Sequence, residues 1–432
     1  MSPLLICIIG LIVFLIFMAL GMRIAFAFML VGFLGVFFLK DFDIAAALLA
    51  RSAFVWASNG SLIALPLFVL MGFFVFQGGI GMELYDFAHK WVGRFPGGLA
   101  VATEVAGTIF GACCGVSMGA AATFGTISYP EMESHHYSRR LSTGAICAGG
   151  SLSSLIPPSV PFIIYGALTE VSVGEMFIAG IVPGLLLSGL FIIVTLVICR
   201  LNPTAGPRGK SYSLKEMLIS LKGVIAVLVL FIIVIGGLFI GVFAPSEAGA
   251  IGAFGAFVIA LARRRLNRSN IVAAIVQAVK TSCFILTITI GAMVFANFLA
   301  VGGFTGMFRD WIGTFQVSPH VIMLFILIIY IPLGMFMDAL AMILLTIPIV
   351  FPVVQALGFD AIWFGILITI LAEIGLLTPP VGLNAYVVSG VTKVPLEDIF
   401  RGITPFFIVM LVGVVIIYLC PQVVTFLPSM IK

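Results

Sequence analysis

Charge is what this sequence has least of. Only 9% of its 432 residues are Asp, Glu, Lys or Arg, against roughly 25% in a soluble domain. So few charges cannot cover a water-facing surface, which excludes a soluble domain of appreciable size. Histidine is scarcer still, and His89, His135, His136 and His320 all fall in or beside polar connections. The stretch Gly115-Val-Ser117-Met-Gly119 fits the G-x-S-x-G elbow, but no apolar run carries a histidine to activate its serine. The seven cysteines show neither metal-ligand spacing nor a disulfide framework, and His135-His136 reads as a solvated loop pair. A complete phosphate loop is missing too, since Thr204 stands where the run into Gly209-Lys210-Ser211 requires glycine. These absences point away from an enzyme, an organic cofactor, a transition metal and ATP. The net charge of +4 resides in short loops and gives no footprint for nucleic acid.

What is present is apolar sequence: 62% of residues, with a mean hydropathy of +1.29. Runs of about 20 apolar residues, enough to cross a bilayer, recur along the chain. The first, Pro3 to Leu20, lacks a basic leader and reads as a retained span rather than a cleaved signal. Counting between polar breaks predicts ten full spans, near 4–20, 24–39, 61–77, 141–169, 176–199, 223–243, 248–262, 281–300, 362–391 and 399–421. Two further runs, about 98–130 and 320–355, are too long and too interrupted by Gly and Pro for one helix each. They read as re-entrant hairpins, whose irregular tips are tolerated only against protein or a watery cavity. The expected fold is an all-α polytopic membrane protein.

Charge placement tests that count. With ten spans and two hairpins, 17 of the 21 Lys and Arg residues share one side, and only Lys40, Arg51, Arg309 and Lys432 lie opposite. The positive-inside rule makes the crowded side cytoplasmic and puts both termini outside. It also brings the first hairpin in from the cytoplasm and the second from outside. The expected division is scaffold spans over 1–60, a first repeat over 61–200, connector and scaffold spans over 201–280, and a second repeat over 281–432. Within the connector, "SLKEMLISLKG" reads as an interfacial amphipathic helix. Phe304–Val317 reads as its counterpart outside.

The repeat itself is legible. "SLIPPSV", residues 154–160, breaks an uncharged run with adjacent prolines that cannot donate backbone hydrogen bonds. At a constant offset of 222, Leu155, Pro157, Pro158, Glu175, Gly180, Ile181 and Pro183 meet Leu377, Pro379, Pro380, Glu397, Gly402, Ile403 and Pro405. Two halves facing opposite ways form an inverted repeat, a common secondary-transporter architecture. A kink kept only for packing would not predict a second copy.

Each hairpin tip is expected beside a broken span. The first tip, Gly111–Gly119, offers Ser117, and its break offers Ser153, Ser154, Pro157, Pro158 and Ser159. The second tip, Gly334–Asp338, faces Thr378, Pro379 and Pro380, with Asn384 just beyond. Broken helices expose carbonyls that suit Na⁺ and N–H groups that suit a carboxylate. Asp338 and Glu373 are acids inside apolar sequence, hence functional candidates. Asp338 is read as a direct ion or solute contact. Glu373 either acts there or only caps and pairs locally. Glu104 reads as structural, and Asn384 either contacts solute or caps the half-helix that follows.

Four stretches carry a family resemblance: "GRFPGGLAVATEVAGTIFGACCGVSMGAAATFG", "SLIPPSVPFIIYG", "MFMDALAMILLTIPI" and "GLLTPPVGLNAYV". With them the chain resembles, over nearly its full length, the large membrane subunit of the tripartite ATP-independent periplasmic (TRAP) transporters. That resemblance implies an elevator mechanism and Na⁺-coupled import of an organic acid across a bacterial inner membrane. It implies a separate periplasmic binding protein and a small four-span membrane subunit, here on its own chain. It places Na⁺ at the two junctions, at Gly115, Pro157, Pro158, Thr378, Pro379 and their neighbours Ser154, Gly334 and Asp338. Ser117 and Asp338 fall where the solute cavity should be, with Ser159 and Asn384 as further contacts. Hydroxyls without a basic pair favour a polyhydroxylated substrate such as sialic acid. A C4-dicarboxylate or another carboxylate is the alternative, as is a passive channel lined by the breaks.

Overall fold

A chain in lipid must satisfy its own backbone, and this one does so through helices; no strand occurs among the described residues. The computed structural model describes residues 2–314 and 317–430. Lys432 and part of the expected outer surface helix, residues 315–316, lie outside them.

The chain begins with α1 (Pro3–Ala19), α2 (Ile24–Leu39), α3 (Phe42–Ala57), α4 (Ala64–Gln77) and α5 (Ile80–Val92). A hairpin follows, α6 (Gly98–Cys114) and α7 (Ser117–Ser134), then a broken pair, α8 (Arg139–Ser151) and α9 (Val160–Thr169), then α10 (Val173–Leu201). Next come α11 (Leu214–Phe239), α12 (Pro245–Ala262), α13 (Arg268–Val301) and α14 (Phe304–Gly313). The second half repeats the order: hairpin α15 (Pro319–Phe336) and α16 (Ala339–Ala356), broken pair α17 (Ala361–Leu377) and α18 (Leu383–Thr392), then α19 (Leu396–Leu419) and α20 (Gln422–Ser429). Among the described residues, eight helices are long and apolar enough to cross a membrane.

Local chemistry explains several boundaries. Asp360 starts α17 by accepting from the Trp363 amide at 2.7 Å, and a Ser213–Glu216 capping box starts α11. The hairpin tips fall at Gly115-Val116 and Met337-Asp338, again 222 residues apart.

Three features depart from the sequence reading. The connector segment "SLKEMLISLKG" is not a separate surface helix but the first turns of α11, which no proline interrupts before Phe239. Thirteen residues precede the expected start of the 281–300 span, and they extend it into the 34-residue α13, about 51 Å long. Arg51 and Asp43 disguised α3, which Asp41 caps through the Ile44 amide at 2.8 Å.

α13 is the central strut, packed against α2, α3, α4 and α16. Phe14 of α1, Phe28 of α2 and Phe295 of α13 form one buried ring cluster, with centroids 4.6 to 5.5 Å apart. The two halves interlock, with α8 against α19 and α18 against α7.

Ion pairs gather at the basic end. Arg263 pairs with Glu83 and donates to the Gly223 carbonyl, and His89 lies 3.1 Å from Glu131. The His89 hydrogen bond holds the Glu131 carboxyl below the usual carboxylate range. A lowered carboxylate stabilises the fold above its unfolded pKa, near 4.5, and loses that contribution as pH falls through its folded value. Glu131→Gln should therefore lower stability by at most about 1 kcal/mol at neutral pH, since the pair is partly exposed. Thermal melts of the two proteins should converge as pH falls below 4.5 and through the lowered folded value.

Candidate functional site

The first junction is a closed seam. α6 ends at Gly115 in the left-handed region (φ +65°), and a Cβ there would sit 2.5 Å from the Pro158 carbonyl oxygen. Only glycine lets the tip lie so close to the break. The Ser117 amide donates to Ser154 Oγ at 3.1 Å, and the Val160 amide reaches the Gly115 carbonyl at 3.4 Å. Ser159 donates its hydroxyl to the Ser154 carbonyl. Pro157 and Pro158 are buried and joined by a cis peptide, and a cis peptide also joins Pro379 and Pro380.

Into this seam comes a carboxyl from the other half. Glu373 of α17 is 1% exposed and faces the Ser154 and Ser117 hydroxyls. Its Oε2 has no hydrogen-bond partner, and no ion pair reaches it among the described residues. A bare carboxylate there is prohibitively costly, so its charge must be met by a proton or a cation. Ser153 Oγ is also buried without a partner.

The second junction is more open. Gly334 of α15 lies against Gly375 of α17, where an added Cβ would meet the Gly375 Cα at 3.0 Å. Thr378 donates to the Ile374 carbonyl at 2.5 Å, whereas Pro379 and Pro380 are exposed. Asp338 caps α16, accepting from the Ala341 amide at 2.6 Å. That bond begins the second arm of the hairpin. Asn384 is fully buried against α8, where Cys147 Sγ lies 3.9 Å from its carbonyl, and neither side-chain amide atom has a partner.

Gly115, Ser117, Ser154, Pro158 and Ser159 thus meet in one seam. Gly334, Asp338 and Thr378 instead bind their own helices or α17. The sequence reading left Glu373 undecided because only the tertiary fold brings it to the first tip. An acid in an uncharged run was the signal. Glu104, fully buried, accepts from Thr195 at 2.5 Å and ties α6 to α10.

A cavity of about 480 Å³ adjoins the first tip, lined by Cys114, Val116 and Met118, by Phe73 and Phe76 of α4, and by Lys280 of α13. Nearer the other end of α13, Asn297, Trp56, Arg309 and Pro348 border another of about 360 Å³.

Residues 11–423 match the family described as tripartite ATP-independent periplasmic transporter, DctM component. The chain belongs to this family. It is 36% identical to the C4-dicarboxylate TRAP transporter large permease protein DctM of Pseudomonas aeruginosa, over 88% of this chain and 89% of that one. It is 32% identical to the 2,3-diketo-L-gulonate large permease YiaN of Escherichia coli, over 96% and 95%. It is 30% identical to the sialic acid large permease SiaM of Vibrio cholerae, over 86% and 87%. The solved YdaH transporter of Alcanivorax borkumensis has a similar fold, with a TM-score of 0.65 over 86% of this chain and 87% of that one, at 14% identity. The TRAP large subunit thus brings the Glu373 carboxyl of one half to the hairpin tip of the other.

Proposed function

We propose that this TRAP large subunit imports an organic acid, coupled to Na⁺, by an elevator motion of its hairpins and broken helices against the remaining helices. The observation that carries the reading is Glu373, a buried carboxyl with an unpartnered oxygen at a seam of backbone carbonyls and hydroxyls. Na⁺ would be held at the first junction by Gly115, Ser154, Pro157 and Pro158, and at the second by Gly334, Asp338, Thr378 and Pro379. Ser117, Ser159, Asp338 and Asn384 are the proposed solute contacts. A small four-span membrane subunit and a periplasmic binding protein complete the system, in keeping with the tripartite family description. The basic end faces the cytoplasm of a bacterial inner membrane, and both termini face the periplasm.

Sialic acid is the substrate that the hydroxyl content favours. A C4-dicarboxylate is the second reading. It is supported by the relative at 36% identity, and by Ser159 spending its hydroxyl on Ser154 rather than on a cavity.

The test is uptake into proteoliposomes holding this chain with its small subunit, with the binding protein outside. Labelled sialic acid and labelled succinate should be offered separately, with and without an inward Na⁺ gradient. One of them should accumulate above equilibrium only with the gradient. Accumulation of succinate alone would correct the substrate, and equilibration indifferent to Na⁺ would establish a passive facilitator instead.

A further inference from the structure

α13 enters the fold from the basic end, and Lys280 lies 12 residues beyond Arg268, about 18 Å along the helix. At that height its neighbours are no longer the loops that hold the other cations. It lines the cavity beside the first hairpin tip, together with Thr281, Phe284 and, from α4, Gly72, Phe73 and Phe76. No acid is among the residues lining that cavity, and no ion pair engages Lys280 among the described residues. Arg263 nearer the basic end pairs with Glu83, and Arg309, at the opposite cavity, with Asp310 at 3.3 Å. Lys280 is exposed, and its ammonium is the one charge on a mainly apolar wall, so it sets the sign of the potential that an anion meets there. A hydroxyl, that of Thr281, stands beside it as a second donor.

We infer that Lys280 is the docking group for the carboxylate of the transported anion at the basic-end mouth of the transport path. The inference rests on the transport reading above and adds a residue of α13 to the hairpin and broken-helix residues proposed there. The cavity is large enough for a small organic acid, and its apolar wall leaves the single charge to orient the solute. Binding would be sided. A solute entering from the opposite end meets the cavity of Arg309 and Asn297 first and reaches Lys280 only on release.

The test uses the chain with its small subunit in phosphatidylcholine vesicles, with and without phosphatidylglycerol, and with the binding protein supplied at the face opposite the basic end. Half-saturating concentrations are measured from each face by exchange, with labelled succinate and labelled sialic acid as probes. Lys280→Gln should raise the value at the basic-end face about tenfold, the loss of one charge-assisted hydrogen bond, and leave the opposite face within about twofold. Lys280→Arg should restore most of the affinity, and thermal melts of both variants separate lost binding from lost folding. Equal shifts on both faces, or none, would overturn the inference while leaving transport intact. A shift seen only with phosphatidylglycerol would make Lys280 a lipid contact and overturn it too. Should the wild-type chain move neither probe, the transport reading falls first and this inference with it.

Discussion

Glu373→Gln should abolish gradient-driven uptake, lowering its rate about 100-fold or more, while the protein stays folded. Glutamine keeps the volume and the reach toward Ser154 and Ser117 but cannot carry the charge that a cation in the seam needs. Removing one member of a buried charged pair costs about 3–5 kcal/mol, which is beyond a hundredfold in occupancy. Without its cation the carboxyl is a liability to the fold, so Glu373→Gln should melt at or above the wild-type temperature. That combination, a stable chain with no coupling, separates a functional role from a packing role. Uptake by Glu373→Gln is measured against Na⁺ and against pH. Wild-type uptake with unchanged Na⁺ dependence would show that Glu373 only packs. Retained Na⁺ dependence with lost pH dependence would mean that the carboxyl carries a proton.

Gly115→Ala should be nearly as damaging, by a different route. The added Cβ would lie 2.5 Å from the Pro158 carbonyl oxygen, and the backbone there sits at φ +65°. A left-handed alanine costs about 1–2 kcal/mol before any collision is counted. Relieving the collision means moving the Pro157-Pro158 break away from the tip. We expect a loss of roughly 2–4 kcal/mol in stability and at least a tenfold loss of uptake. Gly119→Ala is the control. Its Cβ would meet only Cys114 Sγ, at 3.6 Å, so it should melt like wild type. If Gly115→Ala also behaved like wild type, the tip and break would not be held as a tight seam.

Much of this site could be read before any coordinates. The paired prolines at an offset of 222 marked both breaks, and glycine and proline interruptions marked both hairpins. These signals are local: a proline breaks a helix wherever the fold puts it. α3 was missed because Asp43 and Arg51 broke its apolar run. The connector was misjudged because a charged amphipathic stretch can either lie on a membrane or continue into a span. Asp338 was read as an ion or solute contact; its residue type at a helix start is also a cap signal, and the structure gives it that bond. Lys280 was counted as one more cytoplasmic cation, since nothing in the sequence shows that α13 carries it beside the first tip.

Composition alone decided that this chain lives in a membrane, because 9% charge cannot solvate a surface. The spacing of its prolines and glycines decided that it is built twice around two broken segments. Only the tertiary structure decided which groups meet there. It carries Glu373 across to Ser117 and Ser154, and sets Lys280 beside the tip of a hairpin more than 160 positions earlier in the chain. The reason is physical. Helix breaks and spans follow from neighbours a few residues apart, whereas the company of a buried charge depends on helix packing, which periodicity does not encode.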